Sequence, residues 1–134
     1  MRIAICDDDS LELGRISSIV EAYRRERNAS LVYKSFQSAV ELISHVESGA
    51  FSLILLDIMM PGINGMEAAQ EIRTFDTRIK IVFLTSTPEF AVESYSVRAY
   101  DYILKPVAKD KVFSLLDAVI ADEQIPMEGF TVKT

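Results

Sequence analysis

The chain has 134 residues, a length suited to one domain, and 49% of them are hydrophobic, enough to bury a core. Its net charge of −6 argues against direct nucleic-acid binding, which needs clustered Lys and Arg to meet phosphate. The single cysteine, Cys6, excludes an internal disulfide and a cysteine-based zinc site. No apolar run approaches the ~20 residues of a membrane span, and charged residues interrupt the N-terminus at once, so no signal peptide is expected and the chain reads as cytoplasmic.

Residues 2–6 form a short apolar strand that runs into three consecutive carboxylates, Asp7, Asp8 and Asp9. Crowded carboxylates raise one another's pKa unless a cation sits between them, and hard oxygen ligands of this kind suit Mg²⁺. The same residue type also caps helices. From Ser10 to Arg27, Leu13, Ile16, Ile19, Val20 and Tyr23 form a helical stripe. Leu31 to Lys34 is a second strand. Gln37 to Ser48 is a helix with Val40, Ile43 and Val46 on its apolar face, stopped by Gly49.

Residues 52–57 are a near-continuous apolar run ending in Asp57, the pattern of a strand covered on both faces. Pro61-Gly62 marks a turn, and Gly62 and Gly65 serve it. Gly65 to Thr74 is a helix that turns Met66, Ala69 and Ile72 inward. Residues 79–84 are a strand ending in Thr85-Ser86. Pro88 opens a fourth helix that runs to about Val97. Residues 100–104 are the fifth strand, followed by Lys105-Pro106. Lys109 to Glu123 is a fifth helix with Val112, Leu115, Leu116, Val119 and Ile120 apolar. The polar tail, residues 123–134, carries Pro126 and Gly129.

This alternation predicts an α/β fold of the (βα)₅ type: a doubly wound, five-stranded parallel sheet of order 2-1-3-4-5, as in flavodoxin-like proteins. Strands 1 and 3 are then neighbours, so Asp7, Asp8 and Asp57 meet where open sheets bind ligands. Successive strand ends deliver an acid pair, an acid, a hydroxyl and an amine to one edge.

With these motifs the chain resembles the receiver domain of bacterial two-component response regulators over residues 1–122. The segments that carry the likeness are Ile5-Cys6-Asp7-Asp8-Asp9, Leu56-Asp57-Ile58-Met59-Met60-Pro61-Gly62-Ile63-Asn64-Gly65-Met66-Glu67, Val82-Phe83-Leu84-Thr85-Ser86 and Asp101-Tyr102-Ile103-Leu104-Lys105-Pro106. The run Glu89-Phe90-Ala91-Val92-Glu93-Ser94-Tyr95 is most similar to LytTR-type regulators. In those a DNA-binding effector follows the receiver, and Phe130 to Thr134 resembles its opening strand. Residues 123–134 are then a linker or the start of that effector, and DNA is reached only through it.

The resemblance implies that Asp57 accepts a phosphoryl group from a sensor histidine kinase. It implies Mg²⁺ held by Asp8, Asp7, Asp57 and the backbone carbonyl of Met59. It implies a cis Lys105-Pro106 bond, with the Lys105 ammonium pairing with Asp57, and a switch formed by Thr85 and Tyr102. Asp9 either caps the first helix or tunes the metal site from its edge. Phosphorylation is expected to promote a homodimer through helix 4, strand 5 and helix 5, a face of mixed charge that includes Glu93, Arg98 and Lys109. His45 reads as a surface residue. The implied role is signalling, not enzymatic. The alternative is a small Mg²⁺-dependent aspartate-nucleophile phosphatase or phosphotransferase. That class resembles a pattern with a second Asp two residues after the nucleophile; here Met59 stands there. A flavodoxin-like phosphate loop would be rich in Ser, Thr and Gly after strand 1, whereas this loop is acidic.

Overall fold

The computed structural model describes residues 1–47 and 51–123. The expectations for Gly49 and for the tail from 124 onward lie outside the described residues. Five parallel strands, β1 (Arg2–Cys6), β2 (Val32–Phe36), β3 (Leu53–Leu56), β4 (Lys80–Thr85) and β5 (Asp101–Leu104), form one sheet of order β2-β1-β3-β4-β5. Among the described residues four α-helices accompany them: α1 (Ser10–Glu26), α2 (Ala39–Val46), α3 (Gly65–Arg73) and α4 (Lys109–Glu123). Among the described residues no helix is long and apolar enough to cross a membrane.

Strand side chains alternate between the two faces of the sheet. Ile3, Ile5, Leu53, Leu55, Val82 and Leu84 pack with α1 and α4. Ala4, Cys6, Ile54, Leu56, Ile81 and Phe83 pack with α2 and α3. The fully buried β3 sequence Leu-Ile-Leu-Leu follows from this two-sided cover. The edge strand β2 is mostly open, and it runs two residues beyond the expected Lys34.

Two expectations are corrected. The fourth helix, expected from Pro88 to Val97, is a 3₁₀ helix confined to Glu93–Val97. Ser94 Oγ donates to the Ala91 carbonyl at 2.6 Å and Ser96 Oγ to the Glu93 carbonyl at 2.7 Å. These local bonds compete with an i→i+4 ladder, in a stretch of β-branched, aromatic and serine residues already poor at forming α-helix. Among the described residues, three α-helices and one 3₁₀ turn therefore connect the five strands, and α4 follows β5.

The second correction concerns α2. Ser38 caps it, accepting from the Glu41 N–H at 3.2 Å, so the helix starts later than Gln37. Its buried residues are Ala39, Leu42 and Val46, and Val40 is 64% exposed. Of the expected inner stripe only Val46 is buried, because Ala39 and Leu42 occupy the face toward the sheet.

Candidate functional site

The strand register brings the acids together. β1 and β3 pair Cys6 with Leu56, and the Asp57 N–H continues the ladder by donating to the Cys6 carbonyl at 3.0 Å. The Asp7 N–H donates to the Phe36 carbonyl at 3.1 Å, which ties the same edge to β2. Asp7 and Asp57 are both buried, whereas Asp8 is exposed. One carboxylate oxygen from each of Asp7, Asp8 and Asp57 lies within 4.8 Å of the others. Three hard oxygen donors at this spacing fit Mg²⁺, which takes carboxylates while keeping several waters.

Asp9 does not join them. Its Oδ1 accepts from the Leu11 N–H at 3.0 Å and the Glu12 N–H at 3.4 Å, capping α1. The Asp9 N–H in turn donates to Asp7 Oδ1 at 3.0 Å, which orients that carboxylate.

From the far side of the edge comes Lys105. The Lys105–Pro106 bond is cis. Lys105 Nζ lies 2.8 Å from Asp7 Oδ2 and 3.6 Å from Asp57 Oδ1. Burial works against its charge but is outweighed by the bond to Asp7 and the charge of Asp57, so its pKa is raised. The Asp57 pKa also rises, but for an acid this disfavours the charged form. Burial first, then the charge of Asp7, raises its carboxyl from 3.8 to about 6, with Lys105 opposing. The neighbouring Cys6 thiol is pushed up to about 12 by burial and by Asp7 and Asp57, so it stays protonated and unreactive.

Thr85 closes β4 at this edge and is fully buried. Among the described residues its Oγ1 has no hydrogen-bond partner. Leaving a buried hydroxyl unpaired costs ~1–3 kcal/mol, a cost that an incoming acceptor oxygen would relieve. Tyr102 follows on β5, half-buried, its ring centroid 6.1 Å from that of Phe83. Its hydroxyl donates to the Thr87 carbonyl at 2.5 Å and accepts from the Phe90 N–H at 3.3 Å. The ring is thus tied to the loop that leaves Thr85.

Met59 is 53% exposed on the loop after Asp57. That loop is pinned because the Ile58 carbonyl accepts from both the Met60 and Gly65 N–H groups at 2.9 Å. His45 is exposed, with Nδ1 2.9 Å from the Glu41 carbonyl and its ring against Phe36.

Two further residues matter here: Gly65, legible in the sequence only as a turn residue, and Arg73, which no motif marks. A Cβ on Gly65 would sit 2.1 Å from the Asp57 carbonyl oxygen, so only glycine lets α3 start this close to the acid. The capping box of Asn64 and Glu67 fixes that start. Arg73 ends α3 and donates to four backbone carbonyls, those of Val97, Asp76, Ile79 and Arg98. It anchors the end of the 3₁₀ helix, and nothing in its sequence neighbourhood signals this.

With the geometry in place, comparison with known proteins is informative. The family model for the response regulator receiver domain matches residues 3–128. MrkE of Klebsiella pneumoniae is 28% identical over 116 residues, which are 87% of this chain and 42% of that protein. The transcriptional regulatory protein YpdB of Escherichia coli is 28% identical over 121 residues, 90% of this chain and 48% of YpdB. The chain thus spans about half the length of the curated relatives it matches. Among solved structures, the response regulatory domain of MrkE superposes with a TM-score of 0.82 at 28% identity, covering 93% of this chain and all of that one. TrrA of Thermotoga maritima, solved in complex with Mg²⁺-BeF, superposes with a TM-score of 0.71 at 27% identity, covering 88% and 97%. The fold, the acidic edge and the family match agree: the chain belongs to the response regulator receiver domain family.

Proposed function

We propose that the chain is a phosphorylation-controlled receiver that takes a phosphoryl group from a sensor histidine kinase onto Asp57. The observation that carries this reading is the convergence of Asp7, Asp8 and Asp57 within 4.8 Å, with the Lys105 ammonium reaching two of them. The Asp57 carboxylate attacks phosphorus, the bond from phosphorus to the donor nitrogen breaks, and an acyl phosphate forms. Asp7, Asp8, Asp57 and the Met59 carbonyl are the proposed ligands of Mg²⁺, which when bound offsets charge on the phosphoryl oxygens. Lys105 exchanges part of its contact with Asp7 for a phosphoryl oxygen. The unpartnered Thr85 hydroxyl donates to another.

Movement of Thr85 toward the phosphoryl group pulls on the loop that carries Thr87, which the Tyr102 hydroxyl also holds. The 3₁₀ helix and β5 then shift together. That face exposes Val92, Tyr95 and Leu104, apolar area suited to a two-fold contact. Lys109 pairs with Glu26 at 3.0 Å in the same chain, an exposed pair that it would exchange on joining a two-fold contact of mixed charge.

The proposed setting is cytoplasmic. Residues 1–122 are the receiver, and 123–134 lead to a LytTR-type effector that binds DNA and controls transcription. The rival hydrolase reading lacks a general acid at Met59, whose thioether cannot donate a proton.

A small phosphodonor with Mg²⁺ tests the proposal by intact mass and sedimentation. One adduct on the wild-type chain, none on Asp57→Asn, and a mass increase on phosphorylation are expected. An adduct that persists in Asp57→Asn overturns it.

A further inference from the structure

Val40 stands outside the core and Ile43 packs only part of its surface against it, and both have a second setting. They line a groove of about 480 Å³ between α2 and α3, opposite Ile63, which is 39% exposed. The rest of the lining is Ser44, Glu47, Glu67 and Glu71. The floor is therefore aliphatic, and among the described residues the rim holds three carboxylates and no lysine or arginine. Glu67 and Glu71 stand one turn apart on α3, so their side chains share a face. Glu47 faces them from the end of α2. One oxygen of Glu67 accepts from the Asn64 N–H at 2.9 Å.

Two side-by-side helices with an aliphatic cleft between them accept a third helix, whose side-chain ridge fills the groove. The rim decides which helix. A neutral or acidic one would meet uncompensated carboxylates, whereas lysines or arginines beside an apolar stripe would pair with them. The chain's net charge of −6 favours the approach of such a helix from a distance. A second copy of this chain offers a poor match. Its helix α1 has as many glutamates as arginines, and those arginines pair within the helix: Arg15 with Glu12, and Arg24 and Arg25 with Glu21.

We propose that the α2–α3 groove docks a basic amphipathic helix of a partner protein. Its apolar stripe rests on Val40, Ile43 and Ile63, and its flanking Lys or Arg residues face Glu47, Glu67 and Glu71. Ile63 belongs to the same loop as Met59, so the docked helix borders the segment that follows Asp57.

The probe is a synthetic helix of about 18 residues, long enough to hold helical structure, with a leucine stripe flanked by lysines. One control carries the same stripe flanked by glutamates. The other carries the same lysines with the leucines redistributed so that no stripe forms. Each is titrated into the full chain by amide chemical shift. The expected result is shifts concentrated at residues 40–47 and 63–71, with both controls at least tenfold weaker. Glu71→Lys and Val40→Asp, both at exposed positions, should each weaken the lysine peptide about tenfold, or about 1.4 kcal/mol, while their thermal transitions confirm folding. Equal binding of the stripe-broken peptide would reduce the effect to bulk charge attraction and overturn the proposal. So would shifts centred on the Asp7–Asp57 edge, or unaltered binding by a folded Glu71→Lys variant. Shifts at the same residues on concentrating the chain alone would give the groove to a second copy, and also overturn it.

Discussion

Lys105 reaches across the sheet edge to Asp7 at 2.8 Å, closer than its 3.6 Å approach to Asp57. The ammonium bridges two buried carboxylates that would otherwise repel. It leaves Asp57, the proposed nucleophile, less tightly paired than its neighbour.

Removing the bridge should expose that repulsion. In Mg²⁺-free buffer near neutral pH, Lys105→Met should lose about 3 kcal/mol of stability, because two buried charges lose their cation. Added Mg²⁺ should restore more stability to the variant than to the wild type. Urea unfolding with and without Mg²⁺ measures both quantities. A variant as stable as the wild type without the ion would show that solvent already screens these acids.

Asp57 should make stability depend on pH. Its carboxyl is raised from 3.8 to about 6 in the folded chain. Between about pH 4 and 6 the folded chain keeps a proton that the unfolded chain has released, so stability falls as pH rises through that window. Above it the penalty of the ionised, buried acid is fully present. Asp57→Asn should therefore be more stable than the wild type at neutral pH without Mg²⁺, and the gap should close toward pH 4. A gap that widens on acidification contradicts this assignment of the charge.

Two glycine substitutions should have opposite signs. Gly65→Ala drives a Cβ to 2.1 Å from the Asp57 carbonyl oxygen, where backbone must move. A loss of about 3 kcal/mol is expected, with slower phosphorylation because the acid moves too. Gly14→Ala, in α1, meets nothing within 4 Å and should gain up to ~1 kcal/mol from helix propensity. Denaturation midpoints of the pair decide the matter, and losses of equal size would refute the steric account.

Met59 should slow loss of the phosphoryl group. Its side chain is exposed two residues past Asp57 and offers a water only a thioether, a weak acceptor. Met59→Asn should hold water in line and speed decay roughly tenfold, about 1.4 kcal/mol of barrier. Decay is followed at equal Mg²⁺ in both proteins. An unchanged rate would move control of water to Ser86 and Thr87.

The sheet and its acidic edge were readable because four of the five strands, all but β2, run into the residue that carries their chemistry. Asp7, Asp57, Thr85 and Lys105 each follow directly on an apolar run or close it, and strand order alone makes them neighbours. The helices were less legible. Val40 and Ile43 have the spacing of a core stripe, yet Ala39 and Leu42 take the inner face, because burial depends on how the Ser38 cap sets the helix against the sheet. Between Pro88 and Val97 the apolar spacing suits an α-helix, while serine hydroxyls bonded to local carbonyls favour 3₁₀ geometry. Gly65 reads as a turn residue, since its close approach to Asp57 is a three-dimensional fact. Arg73, bonded to carbonyls from segments up to 25 residues away, has no pattern to read.

The most direct test of the account is the position of the phosphoryl group. The chain is treated with a small phosphodonor and Mg²⁺, the acyl phosphate is reduced with borohydride, and peptide mass spectrometry locates the changed residue. The account predicts a single modified position, Asp57, with Asp7, Asp8 and Asp9 untouched. Modification at any of those three, or none at Asp57 in a folded, Mg²⁺-saturated chain, would contradict it.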